Sequence, residues 1–215
     1  MNPKFLLRIK DVSLCLFVAL QNNFFLGRLD IQKIIYIIDN ISAYIFVLSG
    51  NNKHCTYYYG PYDKHIQNAL NALVIREFVE ITNVTVSKSG IKCDYCLTDA
   101  GIDWTNSLTD KSDSIKYRNN IVESVFHSLV QRNLIHKVKN LVYAEPVYVT
   151  KRNDGHYYDL NLKTANPGHE YLSLIEHYVR SDGKHSNINF VTDLYIDYLF
   201  SRDKILSGKS FDEGD

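Results

Sequence analysis

The sequence predicts a mainly α protein with one small β-hairpin, and three observations carry that reading. Apolar residues recur at helical spacing over most of the chain, as in Ile9, Val12, Leu16 and Leu20. Residues 78–97 break that rule. Phe78-Val-Glu-Ile-Thr-Asn-Val-Thr-Val is rich in Val and Thr, Ser87-Lys-Ser-Gly90 is a turn, and residues 91–97 form a return strand. Ahead of them, Tyr59-Gly60-Pro61-Tyr62 makes a tight corner, because Pro61 forces Gly60 away from helical geometry.

The elements follow in order. A first helix over about 9–21 is broken by Asn22, Asn23 and Gly27. Asp30 is expected to cap a second helix over 31–48, apolar nearly all round and therefore central to its domain, ending at Ser49-Gly50-Asn51-Asn52. Residues 54–59 are a short strand or an extended linker. Asp63 is placed to cap a third helix over 64–76. Its inner face is Ile66, Ala69, Leu70, Leu73 and Val74; its outer face is Lys64, His65, Gln67, Asn68, Asn71 and Arg76. After the hairpin, Thr98 or Asp99 caps a helix to about 108. Helix, helix, helix, hairpin, helix is the order of a winged helix-turn-helix, here residues 1–108, with the hairpin as the wing.

The polar stretch 109–114 is the expected boundary to a mostly helical C-terminal domain, 115–203. It should hold helices at 115–132 and 134–144, a stop at Glu145-Pro146, and a short hairpin over 147–163 around Arg152-Asn-Asp-Gly155. A loop at Asn166-Pro-Gly168 and helices at about 169–180 and 188–202 complete it, separated by Ser181-Asp-Gly183. Residues 204–215 read as a flexible tail. There is no internal repeat or low-complexity segment.

Composition narrows the function classes. The chain has 24 basic and 24 acidic residues, so it lacks the basic excess usual in proteins that live by neutralising phosphates. Near-zero net charge also leaves little electrostatic barrier to association. Sixteen Tyr against one Trp reflects A/T-rich codon usage for the larger part, although Tyr also suits interfaces. Four Cys do not make a disulfide scaffold. No apolar run spans a bilayer, and the apolar run at 12–20 lacks the cleavage site of a signal peptide. The expectation is a cytoplasmic protein with reduced thiols and no membrane partner.

Four ordered pieces resemble winged-helix families of bacterial defence and toxin–antitoxin loci. They are Asp30-Ile-Gln-Lys-Ile-Ile-Tyr36, Tyr59-Gly60-Pro61-Tyr62, Leu73-Val-Ile-Arg-Glu-Phe-Val79 and Tyr95-Cys-Leu-Thr-Asp-Ala-Gly101, covering roughly residues 25–105. Size and layout look most like the middle component of bacterial ABC three-component systems of the Lamassu type. More broadly the corner is similar to that of Panacea-type antitoxins. The resemblance implies a non-enzymatic accessory subunit, partnered by an SMC-like ATPase and a nuclease effector, with DNA contacted through the complex. The C-terminal half carries no motif of these families.

The residues themselves give two readings of the winged domain. Lys64, Gln67, Asn68 and Asn71 on the third helix, with Lys88 and Lys92 on the wing, could face DNA or a protein partner. Asp63, Glu77 and Glu80 nearly cancel the local positive field, which favours protein docking over groove reading. The alternative function is a dimeric DNA-binding regulator or antitoxin. Tyr171, Tyr178, Tyr195 and Tyr198 lie at helical spacing as candidate partner anchors. No catalytic constellation, metal site or cofactor site is expected. Cys93-Asp-Tyr-Cys96 lies on a predicted strand, where residues three apart face opposite ways, so even with His54 and Cys55 it does not make a zinc knuckle. Glu145 and Lys151 lack the preceding Asp of a nuclease strand, and there is no phosphate-binding GxxxxGK[ST] loop.

Overall fold

The computed structural model describes residues 3–45, 54–57, 59–88, 90–109, 113–152, 159–160, 166–181 and 187–208. Helix α1 spans Pro3–Gln21 and stops where Asn22 donates its side-chain amide to the Val18 carbonyl and Asn23 turns to a positive φ of 58°. The two-residue strand β1, Leu26–Gly27, leads into α2, Arg28–Tyr44. Asp30 does not precede this helix, as expected, but is its third residue. From there its carboxylate accepts the Gly27 N–H at 3.0 Å, so the start moves back by one turn. Every residue of α2 from Ile31 to Ser42 is buried. The expected ending at 49–52 lies outside the described residues; the helix closes at Tyr44, with Ile45 as its C-cap.

Strand β2, His54–Cys55, precedes the corner, and Cys55 bridges Tyr62 across it. Asp63 caps α3, Lys64–Ile75, by accepting the His65 N–H at 2.9 Å. The hairpin is β3, Val79–Ser87, and β4, Gly90–Leu97. With β1 they form a three-stranded antiparallel sheet in the order β1-β4-β3. Thr98 caps α4, Asp99–Thr109, through its hydroxyl, which accepts the Gly101 N–H at 3.1 Å.

The C-terminal half is α5, Asp113–Gln131, a 3-10 turn at Ile135–Lys137, and α6, Val138–Ala144. The hairpin expected over 147–163 is not there: Pro146–Arg152 is helix α7. Pro146 fits the first helical position, where a missing N–H costs nothing, and the Glu145 carboxylate accepts the Tyr148 N–H at 2.8 Å. These end effects outweigh the strand preference of Val147, Tyr148, Val149 and Thr150. Strand β5, Asp159–Leu160, pairs instead with β2; residues 153–158 of the expected turn lie outside the described set, as do 182 and 183 of the loop expected to separate the last helices. Helices α8, Pro167–Ser181, and α9, Ile188–Leu206, complete the described chain. Helix α9 runs through Lys204, Ile205 and Leu206, which were expected to be tail.

The protein is therefore mainly α with a small antiparallel sheet. One continuous apolar core holds Ile34, Ile38 and Ile41 of α2 together with Val122 and Phe126 of α5 and Ile196 and Leu199 of α9. Helix α2 is its axle, in contact with α1, β1 and β4 and with α5, α6 and α9. Among the described residues no helix is long and apolar enough to cross a membrane.

Candidate docking site

Three features stand out once the chain is folded: a buried ion cluster, the Tyr-Gly-Pro-Tyr corner, and an apolar face on the wing. The ion cluster joins α1, α2, α5 and the segment before α3. Arg8 donates to Asp11 at 2.8 Å, to Asp39 at 2.6 Å and to Asp63 at 2.9 Å. Arg118 donates to Asp11 at 2.9 Å, to Asp39 at 2.6 Å and to the Ser42 hydroxyl. His54 Nε2 lies 2.7 Å from Asp39. All these side chains are buried, and only Lys4, 3.7 Å from Asp63, reaches the surface.

The electrostatics follow from that enclosure. Burial alone would push the Asp39 carboxyl up; Arg8 and Arg118 outweigh it and hold it well below the usual carboxylate range. Asp63 is lowered in the same way, with Arg8 outweighing burial. Burial pushes His54 down despite the pull of Asp39, so the imidazole is neutral and donates from Nε2. Every carboxylate oxygen of Asp11, Asp39 and Asp63 already accepts a donor. The carboxylates of the cluster are thus all engaged, while His54 Nδ1, on the far side of the ring from Asp39, is buried without a hydrogen-bond partner among the described residues. Sequence reasoning passed over the cluster, although a signal was present. A charge at Asp39, inside Ile-Ile-Tyr-Ile-Ile-Asp-Asn-Ile on an all-round apolar helix, has to be buried and paired.

At the corner, Gly60 has φ 102° and is buried with Pro61, while Tyr59 is exposed and Tyr62 packs on Tyr57 with ring centroids 5.2 Å apart. Lys33 of α2 donates to the Tyr59 carbonyl, and a Cβ on Gly60 would meet the end of that Lys side chain and Tyr143. Burial, with Lys139 adding to it, lowers Lys33 to about 8. On α3, Lys64, Asn68 and Asn71 are exposed and Gln67 is half-buried, its amide donating to Asn71 at 2.8 Å. Ile75, at the end of the same helix, is 81% exposed.

The wing has two chemically different faces. Register puts Val79, Ile81, Val86, Ile91, Cys93, Tyr95 and Leu97 on one side, and Glu80, Thr82, Thr85, Lys92 and Asp94 on the other. Val79 and Leu97 enter the core, but the apolar side continues past it through Ile81, Ile91 and Val86, the last 75% exposed. Cys93 and Cys96 fall on opposite sides, as strand alternation requires. Lys88 and Lys92 are both exposed. Beside the apolar face, the first turn of α2 and β4 enclose a groove of about 530 Å³.

The four tyrosines do not form one surface. Tyr195 is fully buried and belongs to the core, which corrects its reading as an anchor. Tyr171 stacks on Tyr198 at 4.4 Å, both half-buried, and Tyr178 is 71% exposed on α8 near Leu174. Among the described residues no group of three His, Cys, Asp or Glu side chains is arranged to hold a metal ion.

No protein-family model matches the chain, and neither a curated protein nor a solved structure does.

Proposed function

We propose that the chain is a non-enzymatic winged-helix subunit that works by docking on other proteins. Following the resemblance of its four motifs, we place it in a bacterial antiphage or antiplasmid complex, beside an SMC-like ATPase and a nuclease effector. The order α1, β1, α2, α3, β3, β4 with sheet order β1-β4-β3 supports the winged-helix part of the reading. One observation carries the docking part: the outer wing presents Ile81, Val86 and Ile91 rather than a row of Lys and Arg. Contiguous exposed apolar residues mark protein contacts, whereas a DNA-tracking wing carries a basic rim.

The test is a tagged pulldown from the native host, paired with a salt series. A stable protein partner whose binding survives moderate salt supports the reading, because apolar anchors release few counterions. Nanomolar, sequence-selective DNA binding by the isolated chain, with no protein partner, would replace it with the DNA-binding regulator.

A further inference from the structure

Glu145 stands between α6 and α7 and is 1% exposed. Its side chain reaches the axle of the fold: Oε2 accepts the Tyr36 hydroxyl of α2 at 2.6 Å as well as the Tyr148 N–H at 2.8 Å. Both donors fall on the same oxygen. Oε1 is buried with no hydrogen-bond partner, and so is the Tyr195 hydroxyl of α9, close enough for the two groups to act on each other electrostatically. The Val147 N–H acts on the carboxyl as well, but from outside hydrogen-bond geometry.

That asymmetry separates the two protonation states. An ionised carboxylate carries its charge on both oxygens and accepts at both. A protonated acid accepts at its carbonyl oxygen and donates from the other, and here the Tyr195 oxygen is at hand as the acceptor. Among the described residues no cation pairs with Glu145. Arg202, the one that acts on it, donates to the Ala144 carbonyl at 2.9 Å and lies over the Tyr198 ring at 5.7 Å. The other titratable neighbours are neutral. They are Tyr36, with His54 edge-on to its ring at 5.0 Å, Tyr148 of α7 with Tyr143 of α6 stacked on it, and Tyr195 and Tyr198 of α9. Burial pushes the Glu145 carboxyl up, and the hydroxyl and N–H donors offset only part of that. A charge at this position is desolvated and unpaired.

We propose that Glu145 is a proton site built into the fold: as a neutral acid it latches the α6–α7 corner to α2 and α9, and losing the proton opens the latch. The neutral form holds Tyr36 and the Tyr148 N–H through Oε2 and donates its own proton to the Tyr195 oxygen. Ionisation puts an unpaired charge among aromatic rings, and the corner opens to hydrate it. A carboxyl raised in the folded state contributes stability that is complete below the usual glutamate value of 4.5 and is lost as pH rises through the folded value. The buried His54 and His169 act in the opposite sense. The latch needs no partner and stands apart from the docking reading.

The experiment uses the full chain with its glutamate carboxyl carbons labelled, followed by NMR through a pH series. One carboxyl should stay protonated well above 4.5, where the other glutamates have ionised. Tyr36→Phe should move its midpoint higher, because the lost hydroxyl favours the charged form. Glu145→Gln copies the neutral acid, accepting at one atom and donating from the other. It should lack that resonance. Relative to it, the wild-type unfolding constant in urea should grow by up to about tenfold per pH unit through the midpoint, a comparison in which the histidines cancel. The wild-type Tyr148 amide should lose exchange protection through the same midpoint, beyond the base-catalysed rise common to all amides. Glutamates that all titrate near 4.5 overturn the proposal. So does a stability difference that stays flat or shifts further toward the wild type as pH rises, or Tyr148 protection indifferent to the midpoint. The carboxyl and amide readings need only the wild type and Tyr36→Phe, so they decide the matter even if Glu145→Gln does not fold.

Discussion

Arg8 and Arg118 lie side by side at the centre of the molecule, answered by Asp11, Asp39 and Asp63. Such a cluster costs desolvation to build, but removing one member leaves its partners charged and unpaired. Asp39→Asn should therefore cost about 3–5 kcal/mol of unfolding free energy, read from urea titration, as expected for breaking a buried pair. Acid should act in two stages. His54 has a folded value below its ordinary 6.5, so as pH falls through that region the unfolded chain takes up a proton that the native state refuses, and stability drops. Asp39 and Asp63 have folded values below 3.8; their contribution is complete above the unfolded value and is lost as pH falls below it. His54→Gln should flatten only part of the first stage, which is shared with His65 and His169, whose values burial also lowers, and leave the second. At Gly60, φ 102° and a would-be Cβ 2.7 Å from Tyr143 act together. Gly60→Ala should cost about 1–3 kcal/mol by thermal melting, the scale of left-handed strain in a filled site.

Helix ends and close approaches decide the elements. Gly101 sits in the first turn of α4, where a Cβ would collide with the Phe78 carbonyl at the entry to β3. Its absence lets α4 close down on the hairpin base, where Thr98 donates its hydroxyl to the Glu77 carbonyl at 2.8 Å and Phe78 stacks on Trp104 at 5.2 Å. Gly101→Ala should destabilise by about 1–3 kcal/mol, the usual cost of overpacking, and shift Trp104 emission; an unchanged melting temperature would show that the helix can slide away. The α7 segment makes the same point from the other side. Its four residues with strand preference form a helix because Glu145 and Pro146 satisfy the helix start.

At the scale of the whole molecule, the polar stretch after α4 does not divide the packing. Helix α5 lies against both α1 and α2, and its Arg118 reaches Asp11 and Asp39 across that junction. The apolar core runs on through the same place, from Ile41 to Val122 and Leu199. The chain should therefore unfold in one step. Trp104 fluorescence reports the hairpin end and far-ultraviolet circular dichroism reports all the helices, so their urea curves should coincide. Two separated midpoints would show that α5 to α9 can unfold independently of α1 to α4.

The sequence alone determined the local events. Helical spacing placed α3 and α5, the end of α1 (which starts at Pro3, six residues before the expected 9) and the start of α9, Val and Thr placed β3 and β4, and Asp63 and Thr98 were recognisable as caps, because each depends on neighbours within a few residues. It also located the tight turn at Gly60, since Pro61 restricts the residue before it. Only the tertiary structure decided which charges meet. Arg8 and Arg118 are 110 positions apart, and nothing local marks them as sharing Asp11 and Asp39. The same holds for the groove, whose two walls come from Leu29 and Ile91 and exist only because β1 pairs with β4. Tyr195 and Tyr178 look alike as helical tyrosines, yet one is fully buried and the other open to solvent. Burial is a property of the surrounding packing, not of the residue.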